Sequence, residues 1–284
     1  MSLTYALHRP EIHGHRGCRG LLPENTLPAF LHALTLEVDV LEMDVVISQD
    51  QQVVVAHDHW LSARLGLGLT GVLIDPRTEQ QLRLYAMPYA EIRQCPLGVF
   101  PHPLFPEQHP VSTYRPLLRE TLQATTHACQ QMGRPSVRYA VELKSSPSGD
   151  GLLHPLPAHF VALVLDELAR EQAASRTTIL SFDYRILQAV RQAAPQQPVC
   201  FLLEEVRPLR FLFDQLRFIP EVFGPAHWLL TSDMLQFLRS HYPSMRIVPW
   251  TLNSTTELLV ALKWQVDGIT TDYPNRLLNM ISHV

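Results

Sequence analysis

Titratable side chains recur in four short segments of this 284-residue chain, and their types suggest metal-assisted chemistry on a phosphate ester. His15 and His57 could act as general acid and base, because an imidazole with a pKa near ~6.5 can accept or donate a proton at neutral pH. Any one of the 14 histidines is more often structural, so these two stand out by position. Asp58 follows His57 directly and could orient a neighbour or cap a hairpin end.

Acidic residues appear twice at a spacing of two along apparent strands. Glu42 and Asp44 would point to the same face of a strand, where two buried carboxylates repel each other unless a cation joins them. Oxygen ligands favour Mg²⁺ or Ca²⁺ over zinc. Glu142 could join this cluster, while Lys144 could donate to a phosphate oxygen. The simpler alternatives are surface strand ends, an arginine partner, and a local ion pair between Glu142 and Lys144.

Two further residues suggest substrate contacts. Arg16 could bind phosphate through its planar guanidinium, and the glycines around it could let backbone amides approach an anion. The segment matches neither standard nucleotide-binding glycine motif, so it supports no nucleotide site. Trp250 could form an apolar wall for the substrate or a buried part of the core.

Apolar runs alternate with amphipathic stretches along the whole chain, which favours an α/β fold with a parallel sheet. Eight strand–helix units favour a closed (β/α)₈ TIM barrel over an open sheet. A short strand at 53–56 adds a hairpin after the second strand. The predicted strands are 12–16, 40–47, 137–143, 177–181, 199–203, 221–225, 246–252 and 268–271. The predicted helices are 26–36, 116–132, 159–171, 184–194, 209–216, 232–242, 255–264 and 276–282.

The candidate residues all fall at or near the ends of predicted strands, where such barrels place their chemistry. We expect one domain over residues 1–284, with an insertion around 57–115. Two long loops, Val72–Thr113 and Ser145–Pro157, should shape or cover the pocket. The histidines of the first loop lack the regular spacing of a metal site.

Composition argues against several partner classes. A net charge of −4 provides no long-range attraction for nucleic acid or an anionic membrane, so neither a nucleic-acid partner nor stable membrane association is predicted. No stretch approaches the ~20 apolar residues of a membrane span, and the N-terminus lacks a signal pattern. A cytoplasmic protein is the default, although an exported one without its signal would look the same. The four cysteines form no C-x-x-C pair, which indicates unpaired thiols.

Taken in order, these motifs resemble those of the glycerophosphodiester phosphodiesterase family over nearly the full chain. The resemblance depends on their order and separation, since each motif is weak alone. The motifs are His15-Arg16-Gly17, Pro23-Glu24-Asn25-Thr26, Glu42-x-Asp44, His57-Asp58, Glu142-Leu143-Lys144, Trp250-Thr251-Leu252-Asn253 and Asp267 to Pro274.

The resemblance implies a (β/α)₈ barrel with a small insertion after the second strand. It also implies one divalent cation, Mg²⁺ or Ca²⁺, held by Glu42, Asp44 and Glu142. His15 and His57 would be the general acid and base.

The implied reaction is hydrolysis of a glycerophosphodiester to glycerol 3-phosphate and an alcohol. The glycerol hydroxyl next to the phosphate would attack first and form a cyclic phosphate, which water then opens. Arg16 and Lys144 would stabilise the added negative charge. The motifs leave open which alcohol is released.

Two alternatives remain. A phospholipase-like relative would stop at the cyclic phosphate and act on lipid, for which an exposed apolar or basic loop is expected. The proline-rich loops carry few basic residues, which favours a soluble substrate. A non-catalytic phosphate-binding barrel would lack a histidine or a metal carboxylate, and none is missing.

Overall fold

A parallel barrel forms the centre of the molecule in the computed structural model, which describes residues 9–282. Eight strands pair in the order β8-β7-β6-β5-β4-β2-β1-β9, and β3 pairs antiparallel with β2. The strands are β1 Glu11–Gly14, β2 Val40–Ile47, β3 Val53–Val55, β4 Arg138–Leu143, β5 Thr177–Ser181, β6 Val199–Leu203, β7 Val222–Pro225, β8 Arg246–Ile247 and β9 Gly268–Thr271.

Backbone hydrogen bonds between the segment after β8 and β9 close the barrel. The Thr270 amide donates to the Pro249 carbonyl at 3.1 Å, and the Leu252 amide donates to the Thr270 carbonyl at 3.0 Å. β8 itself is only two residues long, shorter than the predicted 246–252, because Pro249 has no amide proton for a continuous ladder. The predicted closed barrel is therefore confirmed.

Each parallel strand leads to a helix on the outside of the barrel. Four of the helix starts are capped by short polar side chains, which satisfy free backbone amides. Thr26 caps the first helix by accepting a hydrogen bond from the Ala29 amide at 3.3 Å. The helices are α1 Leu27–Thr35, α2 Tyr89–Ile92, α3 Leu118–Gln131, α4 Pro157–Arg170, α5 Tyr184–Ala193, α6 Leu209–Leu216, α7 Ser232–His241, α8 Thr255–Lys263 and α9 Pro274–Ile281.

The largest apolar core lies between the strands and these helices. Every residue of β2 is buried, as expected of a parallel strand covered on both faces. Phe30, Phe160 and Phe223 are fully buried in this layer. Burial of each such side chain contributes roughly 1.5–3 kcal/mol, so this layer fixes the frame from which inward-facing residues project.

The segment between β3 and α3 forms a packed extension and contains α2 and three short 3₁₀ turns. It covers a second apolar cluster that includes Val46, Val54, Leu61 and Ile92. The insertion after the second strand is therefore more ordered than a proline-rich loop would suggest.

The four cysteines are buried and free, as predicted. Within residues 9–282, none of the helices combines the length and apolar character needed to cross a bilayer. The first eight residues, which bear on the predicted lack of a signal, lie outside the described part of the chain.

Candidate active site

Three buried carboxylates meet where β2 and β4 end. Asp44 and Glu142 are register partners on these neighbouring strands, and Glu42 lies one inward-facing position before Asp44. One oxygen from each of the three lies within 4.8 Å of the others. Among residues 9–282, no other group of three or more acidic, histidine or cysteine side chains is close enough to share a metal ion. The fold therefore brings the three predicted carboxylates together.

Two cations lie against these carboxylates. Lys144 Nζ lies 2.6 Å from Glu142 Oε1 and 3.7 Å from Asp44 Oδ1. Arg16 Nε lies 3.1 Å from Asp44 Oδ2, and Arg16 Nη1 donates to Glu24 Oε1 at 2.6 Å. The Arg16 side chain thus positions carboxylates, and its predicted contact with phosphate stays a prediction.

The charge around the cluster fits a divalent cation. The local groups are Glu24, Glu42, Asp44 and Glu142 against Arg16 and Lys144. With all four carboxylates ionised, and with Arg19 balanced by Asp272, this leaves a surplus of two negative charges in a buried space. Burial and the adjacent Asp44 charge raise the pKa of Glu42 well above its usual value. Oxygen donors with this surplus suit a hard divalent ion.

His15 is held from one side by a carboxylate. Its Nδ1 lies 2.7 Å from Asp272 Oδ1, and its Nε2 lies 3.9 Å from Glu42 Oε2. Burial lowers the pKa of His15 to about 4, despite the opposing effect of Asp272. A neutral His15 that donates from Nδ1 leaves Nε2 free to accept a proton on the cavity side.

Asp272 is itself fixed by a network that sequence reasoning did not assign to the site. Arg19 donates to both of its oxygens, from Nε at 2.8 Å and from Nη2 at 3.0 Å. Asn253 Nδ2 donates to Asp272 Oδ2 at 2.7 Å. Both Asp272 and Asn253 belong to segments that support the family resemblance, but only the fold shows what they contact.

His57 has a similar arrangement at a more open position. Its Nδ1 lies 2.8 Å from Asp58 Oδ1, and its side chain is 32% exposed, against 10% for His15. Asp58 therefore orients its neighbour, which was one of the two predicted roles. In both histidines the carboxylate partner contacts Nδ1, and Nε2 lies on the other side of the ring.

The glycine-rich segment after β1 differs from the predicted anion cradle. The Arg16 amide donates to Glu42 Oε2 at 2.8 Å, and the Gly20 amide donates to the Asp272 carbonyl at 3.0 Å. Arg16 and Gly17 both have positive φ angles, of 50° and 88°. A Cβ on Gly17 would lie 2.8 Å from the Ala29 carbonyl carbon. These glycines allow a tight turn and close packing, and the two amides bind protein acceptors.

A cavity of about 800 Å³ opens beside these residues. Its lining includes His15, Arg16, Glu42, His57, Glu142, Lys144 and Trp250, so the fold brings seven of the eight predicted site residues to one space. Asp44 lies behind this wall, where Asn25 Nδ2 donates to its Oδ2 at 2.9 Å. Trp250 is partly exposed and donates from Nε1 to the Gly224 carbonyl at 2.8 Å, so it forms part of the wall.

Known proteins share this architecture. A Bacillus altitudinis glycerophosphodiester phosphodiesterase is 27% identical over 274 residues, which cover 95% of this chain and 97% of the relative. A crystal structure of a Silicibacter pomeroyi protein superimposes with a TM-score of 0.82 at 28% identity, over 96% and 94% of the two chains. An Oleispira antarctica phosphodiesterase, solved with its product sn-glycerol-3-phosphate, shares the fold with a TM-score of 0.75 at 19% identity, over 96% and 97%.

The glycerophosphoryl diester phosphodiesterase family model matches residues 15–276. This match spans every motif on which the predicted resemblance rested. The chain therefore belongs to the glycerophosphoryl diester phosphodiesterase family and is an enzyme of that class.

Proposed function

We propose that the chain hydrolyses glycerophosphodiesters with the help of one divalent cation and two histidines. The observation that supports this most directly is the buried group of Glu42, Asp44 and Glu142 beside a cavity lined by His15 and His57. Carboxylates in this number and spacing suit Mg²⁺ or Ca²⁺. Once bound, such an ion would supply Lewis-acid polarisation of the phosphate and orient the attacking hydroxyl.

The histidines would move the protons. The glycerol hydroxyl next to the phosphate attacks phosphorus and transfers its proton to one histidine Nε2, while the other histidine protonates the departing alcohol oxygen. Water then opens the cyclic phosphate with the two roles exchanged, which gives glycerol 3-phosphate. Asp272 and Asp58 keep a proton on each Nδ1 and so present each Nε2 for this work.

Lys144 supplies positive charge next to the cluster. Its ammonium lies in contact with Glu142 and 5.8 Å from the centre of the Phe182 ring, at the cavity wall. A phosphate oxygen placed there would meet a fixed cation while negative charge develops, which is the arrangement that lowers a barrier to phosphoryl transfer.

Release of glycerol 3-phosphate from glycerophosphocholine and glycerophosphoethanolamine tests this proposal, with Mg²⁺, with Ca²⁺ and with chelator. We expect metal-dependent release that falls by ~10³ or more in Glu42→Gln, because the variant removes a charged ligand. Asp166→Asn, an exposed carboxylate on α4 that pairs with Arg170, is the matched control and should retain full activity. Turnover that survives both chelation and Glu42→Gln would refute the metal-dependent mechanism.

A further inference from the structure

A second and much smaller cavity lies where the insertion packs against the barrel. Its volume is about 10 Å³, which is room for about one water. His57 lines both this small cavity and the large one that holds the carboxylates, whereas Asp58 lines only the small one. The small cavity is lined from the barrel by Glu24, Asn25, Val55, Ala56, His57 and Asp58, and from the insertion and its end by Trp60, Leu65, Leu97 and Arg115.

Arg115 brings a buried cation to this small cavity. Only 3% of the residue is exposed, and its Nη1 has no hydrogen-bond partner among the described residues. Arginine keeps its charge in proteins, and a buried charge without a partner costs free energy. Burial lowers its pKa, and the neighbouring groups of Cys95, Asp58 and Glu24 oppose this only in part. A cation kept in this place at such a cost indicates a role other than stability.

The backbone around Arg115 fixes the position of this side chain. Arg115 precedes Pro116, which favours extended backbone at residue 115. The Arg115 carbonyl accepts a hydrogen bond from the Tyr89 hydroxyl at 3.1 Å, and the Val55 amide of β3 donates to the Pro116 carbonyl at 2.8 Å. The segment before α3 is therefore attached to the strand that leads into His57 and Asp58.

Other buried polar atoms around the small cavity also lack partners. Trp60 Nε1 and Glu24 Oε2 have none among the described residues, and both residues line the same space as Arg115. A water there would accept hydrogen bonds from Arg115 and Trp60 and would donate to carboxylates. Buried waters commonly make about three such bonds to groups that the protein leaves unpaired.

Asp58 has one firm contact and one weak one. Its Oδ1 lies 2.8 Å from His57 Nδ1, and its Oδ2 lies 4.0 Å from Arg64 Nη2. The Arg64 side chain is 42% exposed, so solvent screens its attraction for the carboxylate. The buried cation at the small cavity is the stronger candidate for holding Asp58 in place.

We propose that Arg115 is a positioning residue for His57 and that it acts through Asp58 across the small cavity. The inference rests on the proposed function, in which His57 Nε2 transfers a proton. The guanidinium attracts the Asp58 carboxylate, directly and through a water, so that the carboxylate keeps its contact with His57 Nδ1. Arg115 lines the small cavity and not the large one, so it supports the reacting group without touching the substrate.

Removal of the charge at Arg115 tests the inference with glycerophosphocholine as substrate. Arg115→Met and Arg115→Gln should each lower kcat about 10-fold with little change in KM, because each leaves His57 less well oriented. Arg115→Lys keeps a cation in the same space and should stay within about threefold of wild type. Arg77→Met removes an arginine of the same insertion whose side chain is 88% exposed, and should retain full activity. Two neutral variants guard against one that fails to fold.

Two further measurements separate positioning from support of the fold. In an Asp58→Asn background, Arg115→Met should change kcat by less than about twofold, because the contact through which it acts is already lost. The melting temperature of Arg115→Met should stay equal or rise, since an apolar side chain replaces a buried unpaired charge. A lower melting temperature with unchanged kcat overturns the inference. A tenfold loss that persists in the Asp58→Asn background overturns it as well.

A readout without turnover distinguishes this inference from the proposed function. If the wild-type protein hydrolyses no glycerophosphodiester, the proposed function fails, and nitrogen NMR of the imidazole rings at pH ~8 still tests the role of Arg115. The His57 signals are those lost in His57→Gln. We expect the Nδ1–H tautomer in wild type and in Arg77→Met, and a larger share of the Nε2–H form in Arg115→Met. An unchanged tautomer in Arg115→Met overturns the inference.

Discussion

The two sides of the barrel interior differ in what they offer a substrate. The side formed by β9, β1, β2 and β4 presents paired charges, in which each carboxylate is held by an arginine, lysine, asparagine or histidine within hydrogen-bond or ion-pair distance. The side formed by β5 to β8 presents mostly apolar side chains and free space, with Thr178 and Arg246 as polar exceptions. The charged side carries the groups proposed to position the reacting atoms, whereas the other side leaves room beside them.

The largest expected effect on kcat comes from the charged side, where His15 and His57 form the proposed acid–base pair. His15→Ala and His57→Ala should each lower kcat by ~10² or more while the fold survives, because each removes one proton-transfer group. His159→Ala, an exposed histidine on α4, should retain full turnover. Near-normal kcat in either variant would remove that residue from the mechanism.

A substrate with a better leaving group can distinguish the roles of the two histidines. With 4-nitrophenol as the departing alcohol, protonation of the leaving oxygen matters less, so the variant lacking the general acid should recover most of its activity. The variant lacking the general base should stay slow. Equal behaviour of both variants would contradict separate acid and base roles.

A smaller effect is expected from loosening the support of His15. Asp272→Asn keeps the shape of the residue but removes the charge that holds Nδ1–H, so we expect kcat to fall about 10- to 100-fold with little change in KM. Asp214→Asn, an exposed carboxylate on α6, is the control. The melting temperature should be measured alongside, since Arg19 loses its partner. A loss confined to stability would show that Asp272 acts on folding alone.

The smallest effect on activity is expected at the start of the barrel strands, where Glu11 pairs with Arg138 and Arg246 away from the proposed reacting groups. Burial alone would raise the pKa of Glu11, but hydrogen bonds from His13, Arg246 and Arg138 lower it overall. Its charged form therefore stabilises the fold above the unfolded pKa of ~4.3, and this contribution disappears as the pH falls below that value.

Glu11→Gln should accordingly lower the melting temperature by about 2–4 °C at pH 7, which corresponds to ~1 kcal/mol for a partly exposed group. The difference from wild type should shrink towards pH ~3. Calorimetric scans at both pH values measure it. A difference that grows in acid would contradict the assigned sign.

The barrel was predictable because its signal is local. Apolar strands alternate with amphipathic helices eight times, and even the predicted strand at 221–225 is present as β7. The exceptions have local causes: β8 is short because of Pro249, and β1 ends at Gly14 because Arg16 adopts a left-handed conformation.

The candidate site was predictable only in part. The two-residue spacing of Glu42 with Asp44 indicates a shared strand face, and neighbouring parallel strands bring Glu142 to it. The partners of these groups, such as Glu24 and Arg19, are joined by contacts that no spacing encodes. The apolar residues that face the cavity were harder still to predict. Val222 or Leu202 facing a cavity has the same sequence pattern as a residue packed in a core.

The bond between His15 and Asp272 joins residues 257 positions apart in the chain. The strand just before Asp272 is β9, which pairs with β1 and with the segment after β8 and so closes the barrel. One C-terminal segment therefore both closes the barrel and supplies the carboxylate that holds His15 Nδ1. Loss of this segment would remove the closing strand and the partner of the proposed acid–base residue together.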